Sequence, residues 1–409
     1  MVKLILNHWL LFISVGVGVM LLWVAAVLSK YVRLMLNIFR DTAAPPLMGP
    51  ADCERLEGRQ VNFRAFDGTR LRGMFYYHKL CLKQNQPQSS NNPTAQMPEN
   101  SPVPETRGVI IFCHEYGFDG YSCLRYCRRL LEVGFDVFTF DFRSHGASSS
   151  LKDYQPRLWC TDKEVSDCLG ALALVRTELK GRNLPLKVGF FGISRGAAAA
   201  ILAADQGRSI LPVRAVLADG AFSTDTTLEW LMKRWVHIFA RVRFVYERHR
   251  PFFWHFLRWL LLKCARVRFN CHYPSVLRTV RRLKDIPIFF IHGAKDSYIQ
   301  PEHTRMLFEN TRSPRYLWIV PEAKHNQSVL AEPELYAART VGFFAKHLTE
   351  SSAEAFTIAA HEAEDLTIFF SSDDLSFPPQ SLKEKEPSDA QSNGRILCGA
   401  ARPASAEAV

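Results

Sequence analysis

Six near-continuous apolar runs between residues 108 and 323 constrain the fold more than any other feature of this sequence. They are GVIIFCH (108–114), DVFTFDF (136–142), LKVGFFGIS (186–194), VRAVLADGAF (213–222), IPIFFIHG (286–293) and YLWIVPEA (316–323). Runs of this kind, without in–out alternation, read as strands buried on both faces. Helix-like segments such as YSCLRYCRRLLEVG, DKEVSDCLGALALVRTELK and GAAAAILAAD lie between them. The alternation predicts an α/β fold, with a mostly parallel central sheet covered by helices on both faces. From residue 61, VNFRAFDGTRLRGMFYYH adds two β-rich runs hinged at Asp67-Gly68, a dipeptide suited to a tight antiparallel hairpin.

Four segments stand outside this frame. Trp9 to Leu28 is apolar except for Ser14 and long enough to cross a hydrocarbon core of about 30 Å. It exceeds the usual apolar region of a signal peptide, so residues 1–40 are expected to be an N-terminal transmembrane anchor, spanning about 9–28. Lys30, Arg33 and Arg40 follow it against Lys3 before it, which predicts a single-pass protein with its body, 41–348, in the cytoplasm. Residues 83–107 are rich in Gln, Asn, Ser and Pro and read as a flexible insertion. Residues 223–285 put about sixty residues between two strands where a crossover needs a dozen. Within them, 230–273 carries ten Lys or Arg against the single acid Glu247, with Trp230, Trp235, Trp254 and Trp259 interspersed. A helical lid resting on a membrane surface is one expectation for this segment, and a packed cap with solvated cations is the other. No nucleic-acid module accompanies it, so nucleic acid is not an expected partner. Residues 349–409 hold 11 acidic and 4 basic side chains and read as an acidic, mostly disordered tail. The basic excess of the chain therefore belongs to its first 348 residues.

Chemistry is concentrated at the carboxyl ends of the predicted strands, where ligands bind in parallel sheets. Gly192-Ile193-Ser194-Arg195-Gly196 follows one strand directly and opens an Ala-rich helix. A nucleophile on so sharp a turn needs small residues two before and two after it, which Gly192 and Gly196 supply. The helix start would aim the Arg195 backbone N–H at a developing oxyanion. A serine needs a base, and the base needs an acid to hold its tautomer. Asp296, in GAKDSYI, and His325, in AKHNQS, lie just beyond later strands in the order nucleophile, acid, base. The alternatives are a turn aspartate and a solvated loop histidine. The loop His114-Glu115-Tyr116-Gly117 would supply the second oxyanion donor from the Tyr116 backbone N–H, with Glu115 either near the pocket or in solvent. Asp141, His145, His292 and Cys113 read as structural. Ten cysteines are too dilute for a disulfide scaffold, and no CxxC pair or metal-ligand array with nearby histidines is present, which disfavours a zinc-ribbon or redox-motif reading.

The succession HEYG, DFRSHGAS, GISRG, HGAKD and KHN resembles the α/β-hydrolase superfamily, especially its membrane-anchored members related to serine aminopeptidases and monoacylglycerol lipases. The resemblance covers roughly residues 60–348. It implies the α/β-hydrolase fold and a serine hydrolase of acyl esters, thioesters or amides, with Ser194 as nucleophile, Asp296 as acid and His325 as base, and no metal or organic cofactor. An acyltransferase with the same triad and a catalytically silent membrane-tethered scaffold are the competing expectations. Departures from the family pattern are the 83–107 insertion, Glu115 and Ser144 where glycine is common, and the basic 223–285 segment.

Overall fold

A computed structural model describes residues 2–38, 51, 53–78, 106–239 and 250–349. The 83–107 insertion except its last two residues, and the tail beyond Thr349, lie outside the described residues. Eight strands form one sheet: β1 Arg59–Arg64, β2 Arg70–Tyr76, β3 Val109–Cys113, β4 Asp136–Phe140, β5 Val188–Ile193, β6 Ala215–Asp219, β7 Ile288–Gly293 and β8 Arg315–Val320. Their order is β1-β2-β4-β3-β5-β6-β7-β8, antiparallel through β2–β4 and parallel from there on. The six apolar runs of the sequence are β3 to β8, and the Asp67-Gly68 turn joins β1 to β2. The helices are α1 Val2–Ile38, α2 Cys123–Glu132, α3 Asp162–Gly181, α4 Arg195–Gln206, α5 Thr224–Phe239, α6 Pro251–Phe269, α7 Val276–Arg282, α8 Pro301–Asn310, the short α9 Ser328–Ala331, and α10 Pro333–Leu348.

The pleat divides each buried strand between two cores. Val109, Ile111 and Cys113 of β3 join one core with residues of α3, α4 and α7, while Ile110 and Phe112 join the other with α2 and α10. The start of α3 is fixed by a capping box, in which Thr161 accepts from the Lys163 N–H and Glu164 returns to the Thr161 N–H. A third cluster gathers the end of α1 (Val32, Met35), α5 (Leu228, Met232), α6 (Trp254, Leu257, Leu261, Ala265) and Ile299. Upstream of that contact α1 is exposed, with Phe12, Leu22 and Trp23 uncovered, and its Leu11–Arg33 stretch is long and apolar enough to cross a membrane.

Two sequence expectations need adjusting. Residues 223–285 do not form one extra unit, because Val276, Val280 and Leu283 sit in the core beneath the sheet and α7 packs on α4 and α8. Among the described residues the added chain is essentially α5 and α6, tied together where Glu229 of α5 accepts from Arg258 of α6. Nor do its tryptophans share one role. Trp254 is buried, Trp230 stands edge-on to His303, Trp259 is exposed, and the Trp235 side chain lies outside the described residues.

Arg143, just beyond β4, links three elements. Its fully buried guanidinium donates to Asp167 of α3 (Nε to Oδ1, 2.9 Å) and to Asp67 of the β1–β2 turn (Nη1 to Oδ2, 2.8 Å). Burial would raise the Asp67 carboxyl, but hydrogen bonds from Arg143 and Thr69 outweigh it and hold the group at about 2. Removing one partner of such a network leaves buried charge uncompensated. Arg143→Met is expected to lower the unfolding free energy by about 3–5 kcal/mol in urea titrations; a loss within about 0.5 kcal/mol would mean the network is idle.

Candidate active site

The turn from β5 into α4 is set by backbone strain and close approach. Ser194 adopts φ 54°, ψ −115°, a region costly for a residue with a Cβ. A Cβ on Gly192 would lie 2.4 Å from the Gly196 carbonyl oxygen, and one on Gly196 would lie 2.1 Å from the Cys113 carbonyl oxygen. Both positions therefore require glycine, and the second seats the first turn of α4 against the end of β3. The Ser194 N–H donates to the Asp219 carbonyl at 2.7 Å, and Ser194's own carbonyl accepts from Ala197 and Ala198.

Across the sheet edge, His325 in the loop after β8 places Nε2 3.1 Å from Ser194 Oγ and Nδ1 2.6 Å from Asp296 Oδ2. Asp296 follows β7, and its other oxygen accepts from the Tyr298 and Ile299 N–H groups, each at 2.9 Å. With Nδ1–H donated to the carboxylate, the Nε2 lone pair faces the serine hydroxyl. Burial would raise the Asp296 carboxyl, but hydrogen bonds from His292 and then His325 prevail and hold it well below the usual carboxylate range.

The loop after β3 carries Tyr116, with Gly117 at φ 82°. His114 braces it: Nδ1–H donates to the Glu115 carbonyl at 2.6 Å, and Nε2 accepts from the Phe142 N–H at 3.0 Å. Burial, aided by the Arg195 charge, pushes His114 well below its ordinary value, which keeps it neutral. Glu115 is neither in solvent nor exposed at the site. Its side chain is buried, the Ser122 and Tyr126 hydroxyls approach it at 3.3 and 3.4 Å, and burial raises its carboxyl. The Arg195 side chain is also buried, over the rings of Tyr116 and Phe142. Burial and then the Arg195 charge push the neighbouring His145 to about 3. Asp141 accepts from the Gly120 and Ala147 N–H groups and fastens loops. Cys113 is buried with its Sγ 3.6 Å from Cys168 Sγ. Among the described residues no three His, Cys, Asp or Glu side chains converge as metal ligands.

An elbow after β5, a carboxylate after β7 and a histidine after β8 thus meet at one edge of the sheet. The sequence profile of the Alpha/beta hydrolase family matches residues 110–339, more than half of the chain. The chain belongs to that family. It is accordingly a hydrolase. The uncharacterised protein YqkD of Bacillus subtilis (strain 168) is 25% identical over 256 residues, spanning 61% of this chain and 74% of that protein. An esterase of Pyrococcus furiosus aligns over 75% of this chain and 96% of its own, at 20% identity and TM-score 0.48. An esterase from Exiguobacterium antarcticum aligns over 69% and 98%, at 13% identity and TM-score 0.43.

Two side chains make contacts at the site beyond what the sequence reading gave them, His292, read there as structural, and Arg195. His292 closes on Asp296 (Nε2 to Oδ2, 3.1 Å), a contact foreshadowed only by its position four residues before the acid. The sequence marks Arg195 through its backbone N–H alone, and only the fold shows its guanidinium buried over the Tyr116 and Phe142 rings. Because Asp296 is held below its unfolded value of about 3.9, its stabilising contribution is full above that pH and drains away as pH falls beneath it. The thermal stability gap between the parent and Asp296→Asn is therefore expected to be widest near pH 7 and to narrow below about pH 4 in melting curves, and a pH-independent gap would contradict an ionised Asp296.

Proposed function

We propose that this chain is a membrane-anchored serine hydrolase of an acyl ester, thioester or amide. Ser194 attacks the acyl carbonyl while His325 takes its proton, Asp296 holds the imidazole in the donating tautomer, and the Tyr116 and Arg195 backbone N–H groups receive the oxyanion. His325 then protonates the leaving group, and water releases the acyl enzyme by the reverse relay. The observation that carries the reading is the unbroken chain from Ser194 Oγ through His325 to Asp296, at 3.1 and 2.6 Å. That contact favours turnover over a silent scaffold, since both links are within proton-transfer reach. An acyltransferase would share every step but the last, with an alcohol or thiol in place of water. The decisive experiment is covalent labelling of the detergent-solubilised full chain by a fluorophosphonate. The parent is expected to be labelled, and Ser194→Ala and His325→Ala are each expected to lose at least about 99% of the labelling, the scale of losing nucleophile or base. Labelling that survives Ser194→Ala would reject the nucleophile.

The domain reading that goes with this function has an anchor at 1–40, a hydrolase body at 41–348 and an acidic tail at 349–409, with the body on the cytoplasmic side. Its membrane part draws support from α6. Phe252, Phe256, Trp259 and Val267, at 77%, 38%, 54% and 86% exposure, follow helical spacing on the face opposite the buried Trp254, Leu257, Leu261 and Ala265. Lys263 falls within the same stripe, 5.9 Å from the Trp259 ring, and α6 contains no acid. An apolar, aromatic and cationic face beside the end of the α1 anchor fits the headgroup boundary of an anionic bilayer. We expect the triple substitution F252S/F256S/W259S to lower kcat/KM on an acyl ester embedded in anionic vesicles by about tenfold, and to leave hydrolysis of soluble p-nitrophenyl butyrate unchanged. Equal losses on both substrates would place the fault in folding and reject the membrane contact.

A further inference from the structure

Arg195 opens α4 directly after Ser194, and its side chain is fully buried. As a structural ion pair it is weakly made. A guanidinium offers a fork of N–H donors that suits a facing carboxylate. Here Nη1 donates to the Arg157 carbonyl at 3.1 Å and lies 3.7 Å from Glu164 Oε1, Nη2 lies 3.4 Å from His145 Nε2, and Nε has no hydrogen-bond partner among the described residues. Glu164 is engaged elsewhere, accepting from the Tyr154 and Thr161 hydroxyls at 2.6 and 2.7 Å. Arg143 makes the contrast, with Nε and both Nη groups bonded to the carboxylates of Asp67 and Asp167. The other contacts of Arg195 are with rings, its Cζ standing 5.2 Å from the centroid of Tyr116 and 5.2 Å from that of Phe142. A cation over an aromatic face is attracted by the ring quadrupole, and the attraction grows where water is excluded.

We infer that the Arg195 side chain is a positioning residue for the oxyanion site, which by holding the Tyr116 ring fixes the spacing of the two backbone N–H groups that receive the charge. The inference rests on the triad reading given above. One of those N–H groups belongs to Arg195 and the other to Tyr116, so one residue supplies the first donor and, through its guanidinium, steadies the second. The donor on α4 is held by the strained elbow and the buried helix behind it. The donor on the loop is less secured, because Tyr116 is only partly buried and is followed by exposed Gly117 at φ 82°. Its ring meets the Arg195 guanidinium and, edge to face at 5.8 Å, the His145 ring. Phe142 is tied to the same loop, since its N–H donates to His114, whose other ring nitrogen bonds the Glu115 carbonyl. Arg195 therefore touches two rings, one carried by that loop and the other fastened to it. Oxyanion stabilisation depends on donors held in place before the charge develops, so a loop released from the guanidinium weakens the transition state more than the bound ester.

The test uses the full chain in detergent with p-nitrophenyl butyrate as the probe substrate. Arg195→Met keeps the backbone N–H and removes the cation, and Tyr116→Leu keeps its N–H and removes the ring. Each is expected to lower kcat about tenfold with KM within about twofold, and to weaken binding of an alkyl trifluoromethyl ketone, whose adduct with Ser194 carries the oxyanion, by about the same factor as kcat. Because both substitutions remove one shared contact, the double variant is expected to lose no more than the worse single one. Losses that multiply to about a hundredfold would mean that the two side chains act separately, and would overturn the inference. Folded variants with lowered melting temperature but unmoved kcat and ketone affinity would mean that Arg195 only packs, and would overturn it as well. If Arg195→Met fails to fold, Tyr116→Leu leaves the guanidinium in place and decides alone, an unmoved kcat and ketone affinity rejecting the inference. Fluorophosphonate labelling of the parent separates the two readings: an unlabelled parent fails the triad, whereas a labelled parent with multiplying or absent losses fails only the role of Arg195.

Discussion

The strained backbone of Ser194 is the constraint on which the rest of the site depends. A residue at φ 54° between a strand and a helix holds that conformation only where its surroundings fix it. Here β5 is paired on both sides by parallel strands, the Ser194 N–H is spent on Asp219 of the neighbouring β6, and the first turn of α4 lies against the end of β3 with only glycine between them. The fully buried alanines Ala197 to Ala200 let that helix lie low over the sheet. Any relaxation of the turn would have to lift α4 from the core, so the strain at one residue is opposed by the burial of a whole helix face.

Much of this was legible in the sequence because the local signals agree with the tertiary outcome. The apolar runs are short, their connections carry helix starts and glycine turns, and the pleat assigns alternate residues to the two cores without conflict. Ser194, Asp296 and His325 could be singled out because each stands just past a strand end, and a parallel sheet brings all such ends to one edge. Asp67-Gly68 announced its hairpin for a comparable reason, since Gly68 supplies the positive φ, 89°, that the turn between Ala65 and Thr69 needs.

What was not legible depends on contacts distant in sequence. Nothing around Glu115 says that the hydroxyls of Ser122 and Tyr126 would enclose it, and Asp67 reads as a turn residue until Arg143, 76 positions later, reaches it. The gap between two strands, 223–285, does not show that the short helix carrying Val276 and Val280 belongs to the core, because its sequence VLRTVRR is as basic as the segment before it. Composition reports charge, whereas membership of the core depends on which face of that helix meets α4. The tryptophans of the insertion divide for the same reason. Trp254 and Trp259 are five residues apart, which puts them on different faces of α6, one inward and one outward.

The third apolar cluster connects these observations. It contains the end of α1, both inserted helices and Ile299, and the backbone N–H of that same Ile299 donates to Asp296 while its carbonyl accepts from His292. Its side chain therefore belongs to the inserted layer and its peptide groups to the acid of the site. α5 and α6 cannot shift without sliding past or carrying along the Ile299 side chain, and a shift of its peptide groups changes the bonds that hold Asp296 and His292. The packing of the inserted helices and the bonds that hold Asp296 thus meet in one residue, through its side chain on one side and its peptide groups on the other.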